Sequence, residues 1–92
     1  MIVRIATEDQ YRLPDEDAAR LNELDNEAVA AVEAGDEARF RALLHEMHEV
    51  VRKDGSQLDS EELAASDVIL PPPDTSFVEA SAEFTGEGLI PD

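Results

Sequence analysis

The chain has 92 residues, a formal net charge of −16 and no cysteine. Its length predicts one domain with a modest core, and the lack of cysteine excludes disulfides and thiolate metal sites. All seven Lys and Arg residues lie at or before Lys53, whereas residues 54–92 hold ten acids and no base. Such a charge repels nucleic acid, which proteins bind through Lys and Arg, and it disfavours anionic bilayers. We therefore expect a protein partner with a basic surface and no nucleic acid.

The first six residues are mostly apolar, and polar residues follow directly after them. This apolar stretch is too short for the core of a signal peptide or for a spanning helix. We therefore expect a soluble chain that does not insert directly into a membrane, and the absence of cysteine is compatible with a reducing cytoplasm.

Residues 1–13 alternate apolar and polar side chains in two short runs, a pattern typical of two strands. We expect a β-hairpin in which Thr7 pairs with Tyr11 across a three-residue connection. This register places the apolar side chains of both strands on one face. Those side chains are Val3, Ile5, Tyr11 and Leu13.

Residues 15–54 carry the spacing of two helices. Pro14 and the acids after it predict the start of a helix over 15–34, and Gly35 predicts its end. Asp36 then begins a second helix over 37–54. So short a connection predicts an antiparallel helical hairpin. The expected inward side chains are Leu21, Leu24, Ala28, Val32, Phe40, Leu43, Leu44, Met47, Val50 and Val51.

Residues 55–73 predict a linker that contains one brief edge strand. Val68, Ile69 and Leu70 form a short apolar run, which must stop where three prolines remove the backbone donors. The prolines are expected to hold an extended spacer. One helical turn is also expected earlier in the linker, around Glu61 and Glu62.

Residues 74–92 predict a short helix followed by an acidic tail. Asp74 and Thr75 are the expected caps of a helix of about ten residues. Its apolar side carries Phe77, Ala80 and Phe84, and Gly86 and Gly88 are expected to end it. The fold class is therefore α+β and predominantly helical.

One stripe of basic side chains stands out on the second helix. Arg41, His45, His48 and Arg52 follow one another at intervals of four, three and four. The histidines are three apart, whereas the zinc-peptidase motif places them four apart. The sequence favours a solvated or salt-bridged stripe, paired with Asp25 or with carboxylates after Lys53. Docking of an acidic partner helix on this stripe is the alternative.

Five segments of the chain resemble, in order, the PspAA family of proteins associated with phage shock protein A. They are residues 1–8, 10–13, 28–40, 66–72 and 88–91. The resemblance implies a cytoplasmic, non-enzymatic partner of PspA in the envelope-stress response. PspA is similar to coiled-coil proteins that remodel membranes, so the partner could recruit this chain to the inner face of the membrane.

We therefore expect a protein-binding accessory factor with no catalytic residue, cofactor or metal. The expected contacts are steering charges at Glu16, Glu23 and Glu27 and anchors at Phe77, Phe84, Leu89 and Ile90. Two alternatives stay open: a metal-binding or catalytic domain that uses His45 and His48, and an acidic mimic of nucleic acid. Self-association through open strand edges is a third.

Overall fold

The structure, a computed structural model, describes residues 1–6, 8–58, 65–84 and 88–90. Strands β1 (Ile2–Ile5) and β2 (Gln10–Arg12) come first, followed by helices α1 (Asp15–Ala34) and α2 (Glu37–Asp54). Strands β3 (Ser56–Gln57) and β4 (Val68–Leu70) come next, and helix α3 (Phe77–Ser81) is last. This order of elements confirms the predicted α+β fold, with its N-terminal hairpin and helical hairpin.

The N-terminal hairpin forms in a register that differs from the predicted one. Tyr11 pairs with Val3 and Gln10 pairs with Arg4, so β1 is shifted by four residues from the expected alignment. Thr7, the expected partner of Tyr11, lies outside the described residues. Because side chains alternate with a period of two, a shift of four leaves the same side chains on the same face. The apolar pattern therefore predicted the buried face correctly and could not select the register.

The helical hairpin occupies the predicted residues. Gly35 ends α1 in the left-handed conformation with φ of 70°, which glycine adopts without steric cost. Asp36 begins α2, and its carboxylate accepts a hydrogen bond from the backbone N–H of Arg39 at 3.1 Å. Pro14 occupies the cap of α1 without a side-chain hydrogen bond, and the three acids after it lie in the first turn. They therefore act on the positive end of the helix dipole instead of capping the helix.

The core lies between the two helices and one face of the sheet. Buried hydrophobic residues come from both helices, from strands β1 and β4, from Leu13 directly after β2, and from the segments around α3 and Ile90. Val32 and Val50, which were expected to point inward, are only partly buried.

Asp25 and His48 are fully enclosed polar residues within the helical hairpin. Each of them therefore needs a hydrogen-bonding partner inside the fold.

Within the described ranges, the sheet has four strands in the order β3-β2-β1-β4. Strand β4 lies parallel to β1 at one edge, which confirms the predicted edge strand at residues 68–70. Strand β3 pairs with β2 at the other edge and was not predicted. Its two residues, Ser56 and Gln57, are exposed and polar, so they carry no apolar alternation that could reveal a strand.

The prolines after β4 form a turn instead of a simple extended spacer. Pro71 is buried, and the backbone N–H of Thr75 donates to the carbonyl oxygen of Pro72 at 3.1 Å. This closure folds the chain back toward the core. The helical turn expected around residues 61–62 lies outside the described residues.

Helix α3 is shorter than expected and begins later. It has five residues, and the hydroxyl of Ser76 accepts from the backbone N–H of Glu79 at 3.1 Å. The cap is therefore Ser76, and the prediction of a cap at Asp74 and Thr75 was wrong. Thr75 is buried and belongs to the preceding turn. Gly86, one of the two expected helix ends, lies outside the described residues.

Residues 88–90 are tied to α1 by the buried carboxylate of Asp25. Its two oxygens accept the backbone N–H groups of Leu89 at 3.0 Å and Ile90 at 2.9 Å. Gly88 has φ of 82°, and a Cβ there would lie 2.6 Å from a carboxylate oxygen of Asp25. Glycine is therefore required for this close approach. Asp25 thus faces the C-terminal segment, and the prediction that it pairs with the basic stripe was wrong.

Candidate partner-binding surfaces

The acidic stripe of α1 is exposed to solvent. Glu16, Glu23 and Glu27 all lie on the outer side of the helix. Arg20 contacts Glu23 at 3.4 Å, and Arg39 contacts Glu27 at 3.6 Å. Exposed ion pairs of this kind contribute little, typically about 0–1 kcal/mol. The carboxylates therefore remain accessible to an incoming partner, and their role in steering stays a prediction.

The expected apolar anchors pack into the protein's own core. Phe84 and Ile90 are buried, with 0% and 7% exposure, and Phe77 and Leu89 are partly buried. Phe40 meets Phe77 and Phe84 edge to face, with ring centroids 5.5 and 5.1 Å apart. Such pairs stabilise a core beyond the area they bury. A chain with only three phenylalanines uses all of them in this cluster, so in this conformation the four residues serve the fold.

Among the residues that the structure describes, two other large apolar side chains are exposed instead. Ile69 in β4 is 55% exposed and Val78 in α3 is 78% exposed. Neither residue was predicted from the sequence to be exposed. The period of two in β4 gives the signal for Ile69, because burial of Val68 and Leu70 on one face directs the residue between them to the other.

The basic stripe of α2 divides into a buried and an exposed part. His48 is 2% exposed, and its Nε2 lies 2.8 Å from the carbonyl oxygen of Pro71. Because that oxygen can only accept, Nε2 is the donor. Burial lowers the pKa of His48 and Arg52 adds to this effect, while the bond to Pro71 and the charge of Glu8 oppose it. This imidazole is therefore a neutral structural link between α2 and the proline turn.

Among the remaining stripe residues, His45 and Arg52 are exposed and Arg41 is half-buried. Arg52 forms an ion pair with Glu8 at 2.6 Å, and the exposed His45 lies 4.0 Å from Glu49. The sequence predicted that Asp25 or a carboxylate after Lys53 would pair with the stripe. The partner of Arg52 instead comes from the N-terminal hairpin. None of the ion pairs within the described ranges involves Arg41. The stripe borders a cavity of about 70 Å³ under Pro73.

The two histidines are not brought together as metal ligands. His48 is enclosed and bonded to a backbone carbonyl, whereas the side chain of His45 is 74% exposed. In the part of the chain that the structure describes, no cluster of three His, Cys, Asp or Glu residues could hold a metal ion. No helix in the same ranges offers an apolar stretch that could cross a bilayer.

A pair of carboxyl groups faces each other where α1 begins and α2 ends. The pKa of Asp17 is raised by partial loss of hydration, by a hydrogen bond to Asp54, and by the negative charges of Asp54 and Glu16. The antiparallel helices therefore place like charges side by side at this end of the hairpin.

These features define a small acidic α+β protein built around a helical hairpin, with charged surfaces on both helices. The chain belongs to the PspA-associated protein family, PspAA, whose sequence model matches residues 1–92. The match confirms the resemblance that the five sequence segments indicated. No curated protein and no solved structure shows a significant match to the chain.

Proposed function

We propose that this protein is a non-enzymatic accessory factor that binds PspA, or a related coiled-coil protein, in an envelope-stress response. The match of the whole chain to a family described as PspA-associated carries the proposal. The charge distribution supports it, because an acidic surface attracts a basic patch on a protein and repels nucleic acid. On this proposal the protein acts in the cytoplasm and reaches the inner face of the membrane through its partner.

The acidic stripe of α1 is the surface that fits long-range attraction best. Its three glutamates are exposed on one side of a 20-residue helix, so their field adds in one direction. Complementary charge raises the association rate more than it slows dissociation. Salt screens such a field over about 10 Å at moderate ionic strength, so binding that depends on it must weaken as salt rises.

Binding to purified PspA at low and high salt tests the proposal. We expect stoichiometric retention at low salt, with an association rate that falls as salt rises. The double variant Glu16→Gln and Glu23→Gln should associate more slowly at low salt. A matched control, Glu33→Gln with Glu37→Gln, makes the same change in net charge away from this stripe and should keep most of the rate.

No retention of PspA at either salt concentration would overturn the proposed function. Equal rates for the stripe variant and the control would overturn the role of the stripe alone. An assay of zinc uptake by equilibrium dialysis addresses the metal-binding alternative, and competition with DNA for a DNA-binding protein addresses mimicry of nucleic acid.

A further inference from the structure

A cavity of about 360 Å³ opens where β4 ends and the chain turns toward α3. Its size lies in the range of about 300–1,000 Å³ that is typical of ligand pockets. Ile69 and Pro72 supply accessible apolar walls, and the mostly buried Thr75 also lines the cavity. The cavity thus combines apolar walls with polar groups, the composition that recognises an amphipathic ligand.

Three carboxylates stand around this cavity without an internal counter-ion. Asp74, Glu79 and Glu83 all border it. None of the ion pairs within the described parts of the chain involves any of the three. All seven Lys and Arg residues lie earlier in the sequence, at or before Lys53. All three side chains are exposed, so water surrounds them in the free protein and a cationic ligand can reach them.

The hydroxyl of Thr75 gives a second and independent indication of a ligand. Thr75 is 8% exposed, yet no described or neighbouring group forms a hydrogen bond with its side chain. Only its backbone N–H is used, by the carbonyl of Pro72. The hydroxyl oxygen is not among the described side-chain atoms that are buried without a partner, so it is accessible, and because Thr75 lines the cavity it can accept a bond from a bound donor there.

The open edge of β4 adds a backbone contact of limited length. The carbonyl of Leu70 accepts from the N–H of Ala6 at 2.9 Å, so the backbone of Leu70 faces β1. Backbone groups alternate in direction along a strand, and those of Ile69 therefore face away from the sheet. The prolines that follow have no N–H group. This edge can hold one residue of a partner, but it cannot extend into a long added strand.

We propose that this cavity binds an arginine side chain of the partner protein. The aliphatic stem packs on Ile69 and Pro72, as the stems of long basic side chains commonly pack on apolar surface. The guanidinium group lies among the carboxylates and donates one N–H to the Thr75 hydroxyl. Arginine fits better than lysine because its planar group offers five donors in several directions. The inference rests on the proposed function in one respect, namely that the arginine belongs to PspA.

The first test uses a small probe and does not need PspA. The peptide N-acetyl-Leu-Arg-Leu-amide is titrated into the isotopically labelled protein, with the citrulline analogue as a neutral control of the same shape. We expect shifts in the amide signals of Ile69, Thr75 and Glu79 with the arginine peptide only. Shifts that are equal for the two peptides, or absent at these residues, would overturn the site.

The second test measures PspA binding by two variants of the cavity. Glu79→Gln with Glu83→Gln should weaken binding about tenfold, as expected for loss of a buried charge contact. Thr75→Val keeps the shape and should weaken binding about fivefold, equivalent to about 1 kcal/mol for one hydrogen bond. Amide spectra of each variant establish that the fold is retained.

A control with the same change in net charge is Glu33→Gln with Glu37→Gln, which lies at the connection between α1 and α2. If all variants bind PspA as the unmodified protein does, the cavity proposal fails while the proposed function stands. If the unmodified protein does not bind PspA, the proposed function fails. The peptide titration then decides by itself whether the cavity takes arginine.

Discussion

The carboxylate of Asp25 should be worth a measurable part of the protein's stability. In Asp25→Asn, one oxygen remains to accept the N–H of Leu89, but an NH₂ group replaces the oxygen that lies 2.9 Å from the N–H of Ile90. One hydrogen bond is lost, and two donors then face each other in a site with 0% exposure. A hydrogen bond to a charged group contributes about 1.5–3 kcal/mol. We therefore expect the free energy of unfolding to fall by about 1.5–3 kcal/mol, against a total of about 5–15 kcal/mol.

Urea unfolding followed by far-ultraviolet circular dichroism measures this loss. Hydrogen exchange at the amides of Leu89 and Ile90 adds a local reading, because both amides should lose protection in the variant. Glu33→Gln provides a matched control, since it makes the same chemical change at an exposed position of α1 and should stay within about 0.5 kcal/mol. An Asp25→Asn protein as stable as this control, with both amides still protected, would refute the reasoning.

Three further predictions concern the helical hairpin and the aromatic cluster. The pKa of Asp17 is raised first by partial loss of hydration and then by Asp54, so the fold binds the proton of Asp17 more tightly than the unfolded chain does, and both effects cost stability once Asp17 is charged. Asp54→Asn should therefore raise the melting temperature at neutral pH, with a gain that vanishes as the pH falls toward 3.8; a gain independent of pH would contradict this. The pKa of His48 is lowered in the fold, so below pH 6.5 the unfolded chain binds this proton more readily than the fold does. Acidification should therefore destabilise the protein more than it destabilises the variant His48→Gln. Thermal melts of the two proteins at a series of pH values measure this difference. Phe84→Ala should cost about 3–5 kcal/mol in urea unfolding because a fully buried ring is removed, whereas the exposed Val78→Ala should change stability by less than about 0.5 kcal/mol.

The helices could be predicted from the sequence because their signals are local and agree with one another. Helical spacing of apolar residues, Gly35 as a left-handed end and Asp36 as a cap all indicate the same boundaries, and both helices occupy the predicted residues. The hairpin register could not be predicted in this way. Registers that differ by two or four residues bury the same side chains, so only long-range pairing with β4 and the rest of the sheet distinguishes them.

The candidate site was harder to predict because it depends on contacts between distant segments. His48 and Pro71 are 23 residues apart, and Asp25 and Ile90 are 65 residues apart. Spacing on one helix placed His48 in a solvent-facing stripe, whereas its burial follows from the return of the proline turn onto α2. The cavity beside β4 likewise requires residues from a strand, a turn and a short helix, and none of them forms a recognisable motif by itself.

The short edge strands of the sheet limit the ability of this protein to form fibres. Strand β3 is two residues long at one edge of the sheet, and strand β4 is three residues long at the other, where Pro71, Pro72 and Pro73 follow without an amide donor. Fibre growth by strand addition requires long, flat, unpaired edge strands with which the next molecule can pair. We therefore expect concentrated solutions of this protein not to form fibres by addition of strands at these edges.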